Sequence, residues 1–153
     1  MLIRPTMQED IPALQLVLDG TELFPSEMLP NMLYGFLSDR ENVDVWLTLE
    51  NEKGTPIGFC YASPEQLADR TWNMLAIAVL PEQQGTGVGG AIVSRLENVL
   101  RERGQRILVA ETSGTDNFER ARSFYRKNGY VEEARIRDFW APGDDKVVFW
   151  KAL

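Results

Sequence analysis

The stretch WNMLAIAVLPEQQGTGVGGAIVSRLENVL, residues 72–100, decides the fold. Its first part, Trp72 to Val79, is almost uniformly apolar, the pattern of a central strand buried on both faces of a sheet. Pro81 ends the run, and Gly85, Gly87, Gly89 and Gly90 follow in close succession. Beyond them Val88, Ile92, Leu96, Val99 and Leu100 recur at helical spacing, Glu97 stands one turn before Arg101, and Gly104 is placed as a C′ stop. A strand, a glycine loop and an amphipathic helix in that order bring bare backbone N–H groups to the positive end of a helix. That arrangement suits a phosphate.

From the residues alone the loop has two readings. Gly85-Thr86-Gly87-Val88-Gly89-Gly90 satisfies GxGxxG, with Glu111 about 20 residues beyond near the end of the next strand, as a dinucleotide site asks. Against this, Leu80 to Gln84 separate the strand from the first glycine, and too little chain follows Gly90 for a doubly wound sheet. The Gly-Lys-Ser/Thr ending of a P-loop is absent.

Working outward, Leu2 and Ile3 form a short strand. Thr6 and Glu9 have capping-box spacing, and Ile11, Leu14, Val17 and Leu18 then mark a helix up to Gly20. Residues 25–39 carry an apolar stripe broken by Pro30 and Gly35, an irregular second helix. Val43, Val45, Leu47 and Leu49 alternate with mostly polar neighbours, and NEKGTP separates that strand from IGFCYA in a hairpin-like pair. Residues 107–112 are strand-like. Asp116 is placed to cap a helix with Ala121, Phe124 and Tyr125 on one side and Gly129 at its end. YVEEARIRDF and KVVFWKAL close the chain as a hairpin about a turn at Ala141 to Asp145. This order predicts an α+β fold, an α/β three-layer arrangement with a mixed, mostly antiparallel sheet flanked by helices. No repeat or linker divides it, so residues 1–153 are expected to form a single domain.

Composition narrows the chemistry. The 153 residues include no histidine, which excludes Ser-His-Asp and Cys-His mechanisms and histidine-ligated metals, and no metal site is expected. One cysteine, Cys60, allows no internal disulfide and favours a reducing compartment. The first residues lack a signal-peptide core, and the apolar run Met74 to Leu80 is too short to span a bilayer, so a cytoplasmic protein without membrane contact is expected. A net charge of −7 and a pI near 4.7 speak against nucleic acid as a partner.

Gln84-Gly85-Thr86-Gly87-Val88-Gly89, preceded by Ile77-Ala78-Val79-Leu80-Pro81, resembles the Q/R-x-x-G-x-G/A loop of the GNAT N-acetyltransferase superfamily. A second stretch, Ala121 through Phe124-Tyr125 to Gly129-Tyr130, resembles that family's A-x-x-F-Y-x-K-x-G-F/Y signature, and the order of elements agrees over nearly the whole chain. The resemblance implies a GNAT-like acyl-CoA N-acyltransferase fold with acetyl-CoA as co-substrate. It implies direct acetyl transfer to a primary amine of a small molecule or protein, in a ternary complex, with no metal and no covalent enzyme intermediate. Ala78, Val79, Gln84, Gly85, Thr86, Gly87, Val88, Gly89 and Gly90 are then the expected acetyl-CoA contacts. A backbone N–H near Val79 would serve the oxyanion where the strand splays.

An acceptor ammonium must lose a proton before it attacks, and without histidine a carboxylate or a water chain must take it. Glu111 matches a position where relatives often carry a catalytic glutamate, with a structural hydrogen bond as the alternative role. Tyr125 matches the tyrosine that relatives use toward the departing CoA thiolate, with core packing as the alternative. Two departures stand out. Phe118 occupies the place where the family often has asparagine, Asn117 being its neighbour, and the segment from Glu111 to Tyr125 is longer than usual.

Trp46, Trp72, Trp140, Trp150 and Cys60 are expected in the core or on strand faces. In the family the acceptor lies over the counterparts of residues 25–39 and about 138–145. Asp138, Asp144 and Asp145 there are either an acidic rim for a cationic amine (a polyamine, an aminoglycoside-like sugar, an amino acid or a protein amine) or plain turn chemistry. Three alternatives accompany this reading: a nucleotide-binding oxidoreductase through GxGxxG, a non-catalytic acyl-CoA sensor, and a different acyl donor. A homodimer is compatible with the chain, since covered and free edge strands read alike.

Overall fold

The computed structural model describes residues 1–21 and 23–153. Seven strands among them form one mixed sheet in the order β1-β2-β3-β4-β5-β7-β6. The strands are β1 (Leu2–Pro5), β2 (Val45–Glu50), β3 (Pro56–Pro64), β4 (Thr71–Val79), β5 (Ile107–Ser113), β6 (Val131–Ala141) and β7 (Asp144–Ala152). All neighbours are antiparallel except β4 and β5, which are parallel and joined by a helix. The α+β layout expected from the sequence is the one observed.

Helices α1 (Ile11–Thr21) and α2 (Leu29–Ser38) cover one face. Their Leu14, Val17, Leu18, Leu29 and Leu33 pack with Trp46, Phe59, Ala76 and Ala78 of the sheet. Helices α3 (Val88–Glu102) and α4 (Glu119–Lys127) belong to the other. There Ile92, Val93, Leu96, Leu100 and Tyr125 pack with Leu47, Cys60, Leu108, Ala110, Val147 and Phe149. With both faces covered, β2 is buried throughout Val45 to Leu49. Trp46, expected in the core or on a strand face, is buried, and so is Thr48 on the same face of the strand.

Two caps differ from their sequence reading. The box opens the 3-10 turn Gln8–Asp10 that leads into α1 and uses Asp10, not Glu9, the Asp10 carboxylate accepting the Met7 N–H at 2.8 Å. Asp10 is drawn in by Arg4, which donates to both its oxygens at 2.8 and 2.9 Å, and Thr6 is buried against Thr48. Asp116 caps nothing: it opens one 3-10 turn, Asp116–Phe118, before α4, and no side chain caps that helix. Arg122 ties down the segment instead, donating to the carbonyls of Ser113 and Thr115 at 2.6 and 2.8 Å.

On the α3 side of β7, Lys151 donates to both oxygens of Glu97, at 2.8 and 3.1 Å, and to the carbonyl of Asn128 at 2.8 Å. Tyr130 donates to Glu97 at 3.0 Å and Arg101 donates to it at 3.4 Å, so this carboxylate locks α3 to the exit of α4 and to the sheet. No helix among the described residues is long and apolar enough to cross a membrane.

Candidate active site

The centre of the sheet is interrupted. β4 pairs with β3 as far as Val79, but with β5 only from Thr71 to Met74, opposite Ile107 to Ala110. At that limit the β3–β4 register steps from Tyr61–Ala76 to Ala62–Met74, leaving Leu75 as an extra residue. Such a bulge bends its strand. Beyond it β4 and β5 part into a fork. Leu80 donates to Ile57 of β3 at 2.9 Å, so by backbone alternation the N–H and C=O of Val79 turn to the open side. Gln84 confirms half of this, donating from Nε2 to the Val79 carbonyl at 3.2 Å.

The glycine loop runs from the tip of the fork into α3. Gly85 and Gly87 have φ of +79° and +89°, the left-handed region that favours glycine, and Thr86 between them donates to the Gln83 carbonyl. No side chain caps α3, so its first-turn N–H groups face the loop without an intrahelical partner. The other two glycines work differently. A Cβ on Gly89 would stand 3.0 Å from the Phe124 ring, and one on Gly90 3.0 Å from Asn128 Oδ1. They let α4 pack against the start of α3. The four glycines read from sequence as one cradle thus divide into two that shape the loop and two that seat α4.

α4 also brings a residue that sequence reading missed. Arg120, exposed, holds Nη2 3.6 Å from where a Cβ of Gly85 would be, a cation leaning over the loop. Its signal was available as a basic residue immediately before the matched Ala121. Asn117 and Phe118, by contrast, are exposed in the preceding turn.

Tyr125 is 6% exposed, its ring against Phe149, Tyr130 and Phe124 with centroids 5.2 to 5.8 Å apart. It belongs to the same packed cluster as Val79, Val88 and Ala110, which border the fork and loop. Burial pushes its phenol up to about 12, so near neutral pH it keeps its proton and can donate it. Glu111 is the first β5 residue past the last rung shared with β4. It shares a face with Ile107 and Val109, opposite Leu108 and Ala110, and therefore meets the fork from the side away from Tyr125. Its carboxylate is paired with Lys146 of β7 at 2.8 Å.

The closing hairpin is less regular than its sequence suggested. Between Ile136–Lys146 and Ala141–Asp144 the register slips, and Asp138 takes a φ of +56°. The resulting bulge carries Phe139 to 4.3 Å from Lys146 Nζ and lets Trp140 donate to the Thr112 carbonyl at 3.2 Å. Trp140 is half-exposed here, unlike the buried Trp46 and Trp72. The three aspartates are engaged internally. Asp138 accepts from the Gly143 N–H, Asp144 from the Ser113 hydroxyl, and Asp145 from Arg135 and the Asp138 N–H. They form turn chemistry, as one of the two sequence readings had it. Cys60 is fully buried with its thiol pushed up to about 12, an inert core residue. Among the described residues no group of three or more Cys, Asp and Glu could hold a metal ion.

A profile described as the acetyltransferase (GNAT) domain matches residues 41–132, more than half of the chain. The chain belongs to the GNAT acetyltransferase family, a class of acyltransferases. A GNAT-family protein from Desulfovibrio desulfuricans superposes with a TM-score of 0.89 at 24% identity, over 99% of this chain and 98% of that one. The ribosomal-protein-alanine N-acetyltransferase of Brucella melitensis gives 0.81 at 21% identity over the full length of both. An aminoglycoside 6′-N-acetyltransferase complexed with coenzyme A gives 0.78 at 17%, over 99% and 97%. At these identities the likeness is one of fold. No curated protein matches the chain. With one parallel strand pair in place of a doubly wound sheet, GxGxxG here is a by-product of the loop and helix, and the oxidoreductase reading has no support.

Proposed function

We propose that this protein is an acetyl-CoA-dependent N-acetyltransferase, residues 1–153 acting as one domain, that moves the acetyl group directly to a primary amine in a ternary complex. The observation that carries this is the fork, with the uncapped start of α3 and its glycine loop at the tip. Backbone N–H groups from Gly85 to Gly90, with Gln84 and Thr86 shaping the loop and Arg120 beside it, bind the pyrophosphate of CoA. Ala78 and Val79 line the thioester arm, and the Val79 N–H takes the carbonyl oxygen as it becomes an oxyanion.

The amine enters from the face of α1 and α2. Glu111 receives the ammonium proton, the freed lone pair attacks the thioester carbon, and the C–S bond breaks with its electron pair on sulfur. Tyr125, reaching the fork from the opposite face, protonates that thiolate, the second proton shed by the nitrogen as the amide forms restores the phenol through water, and Glu111 releases its own proton to solvent. The two groups stand on opposite sides of the sheet, Glu111 with the incoming amine and Tyr125 with the departing sulfur. The buried Cys60 accords with a reducing, cytoplasmic setting.

Calorimetric titration with acetyl-CoA, with NAD as the matched control, tests the donor site. Acetyl-CoA binds and NAD does not; NAD binding, or binding of neither, overturns the proposal. Tyr125→Phe lowers kcat by about 100-fold while acetyl-CoA affinity holds. Unchanged turnover would remove Tyr125 from the mechanism. Donor binding with no CoA release in the presence of any amine would instead mark a sensor.

A further inference from the structure

Resting on the N-acetyltransferase reading, we propose that the acceptor is a zwitterion with a carboxylate beside the reacting amine, as in a free α-amino acid, selected by Glu111 and Lys146 together. These residues hold one carboxylate and one ammonium 2.8 Å apart where β5 leaves β4, on the face away from α3 and α4. Their side chains are only 25% and 14% exposed. Beyond this one ion pair Lys146 meets only the faces of Phe139 and Trp140, so each charge keeps room for a further hydrogen-bonded partner, and a second pair of opposite charges completes the set. An α-amino acid carries its ammonium and carboxylate on one carbon, so both ends meet the pair at once, nitrogen on Glu111 and carboxylate on Lys146.

The surroundings favour that occupant over a polycation. Asp138, Asp144 and Asp145, the acids nearest in the hairpin, are each held by internal hydrogen bonds. The bulge of β6 instead brings the half-exposed rings of Phe139 and Trp140 to 4.3 and 6.0 Å from Lys146 Nζ, an apolar surface for an acceptor side chain. A protein N-terminus offers an amide where this site holds a cation. Acetylation removes the acceptor's positive charge, Glu111 returns to Lys146, and the product is left with one ionic contact in place of two.

The test is the rate of CoA thiol release at saturating acetyl-CoA with the proteinogenic L-amino acids, the same compounds as C-terminal amides, and spermidine. At least one amino acid exceeds its amide and spermidine in kcat/KM by at least about tenfold. Lys146→Met brings that acid-to-amide ratio close to one through KM, with acetyl-CoA affinity unchanged. The inference is overturned if amides or spermidine match the acids, or if the ratio survives in Lys146→Met. The wild-type ratio needs no variant, and Lys146→Gln repeats the comparison should the methionine variant fold poorly. Turnover that favours amides strikes only this inference, whereas loss of acetyl-CoA binding strikes the N-acetyltransferase reading itself.

Discussion

Lys146 and Lys151 lie on opposite faces of β7, and each meets a glutamate, yet the two pairs are built to different ends. Lys151 shares three contacts with Glu97 and Asn128, and Glu97 is further met by Tyr130 and Arg101. Every strong donor and acceptor there is used, and the group sits between packed helices and the sheet. Lys146 has one carboxylate and an aromatic face, at the mouth of the fork. A closed network fixes geometry, since the buried carboxylate of Glu97 depends on all of its donors at once. An open pair of the same residue types keeps valence for a third body. The number of partners, more than the presence of the pair, separates scaffold from site.

The largest effect belongs to the closed side. Glu97→Ala leaves Tyr130 without its acceptor and Lys151 with the Asn128 carbonyl alone, and costs about 3–5 kcal/mol, lowering the midpoint of thermal unfolding by roughly 10 °C. A loss no greater than that of a surface residue would break the contrast. Next comes the response to alkali. Burial raises the phenols of Tyr125, to about 12, and of Tyr130, where the charge of Glu97 adds to the same direction. A raised tyrosine stabilises the fold below the unfolded value near pH 10, and that contribution disappears as pH climbs toward 12. Urea midpoints therefore hold up to about pH 10 and fall beyond it, and Tyr125→Phe removes about 3 kcal/mol of the decline. Smallest is Glu111→Gln: stability changes by about 1 kcal/mol or less, because the amide keeps an acceptor oxygen for Lys146, which also rests on Phe139 and Trp140, while acetylation falls far more. Unfolding and rate measurements on one preparation give both numbers, and a stability loss equal to that of Glu97→Ala would merge the two pairs into one class.

The sequence made the loop of the proposed donor half legible and left the proposed acceptor half obscure, for a physical reason. Backbone does the work at residues 79–90, and a backbone path that needs left-handed residues writes glycines into the sequence at fixed spacing, as at Gly85 and Gly87. Helix α3, its stop at Gly104 and the central place of β4 follow from apolar rhythm. The role of Gly89 and Gly90 was not visible, since it depends on α4 arriving from far along the chain. At the other end, Lys146 and Glu111 stand 35 positions apart and meet through a diagonal across β5 and β7. The extra residues of β6 that swing Phe139 and Trp140 inward leave no periodic trace. The capping acid was misplaced by one position for a similar reason, because Asp10 answers to Arg4 on β1 and not to helix spacing alone.

The fork has a mechanical side. Four residue pairs, Thr71 to Met74 with Ile107 to Ala110, are the paired rungs of the seam between a four-stranded antiparallel part and a three-stranded one, with the contacts of Arg106 to Arg70 and Asp69 at their foot. Each part is built from antiparallel neighbours, whereas the seam waits on a crossover through α3 and is the costlier contact to form. In the proposed complex, a thioester arm laid between the strands replaces missing rungs with its own and stitches the halves together. Amides of Ile77 and Val79, central in the sheet, accordingly exchange with water faster than those of β3, and acetyl-CoA slows them as a clasp slows an opening zip.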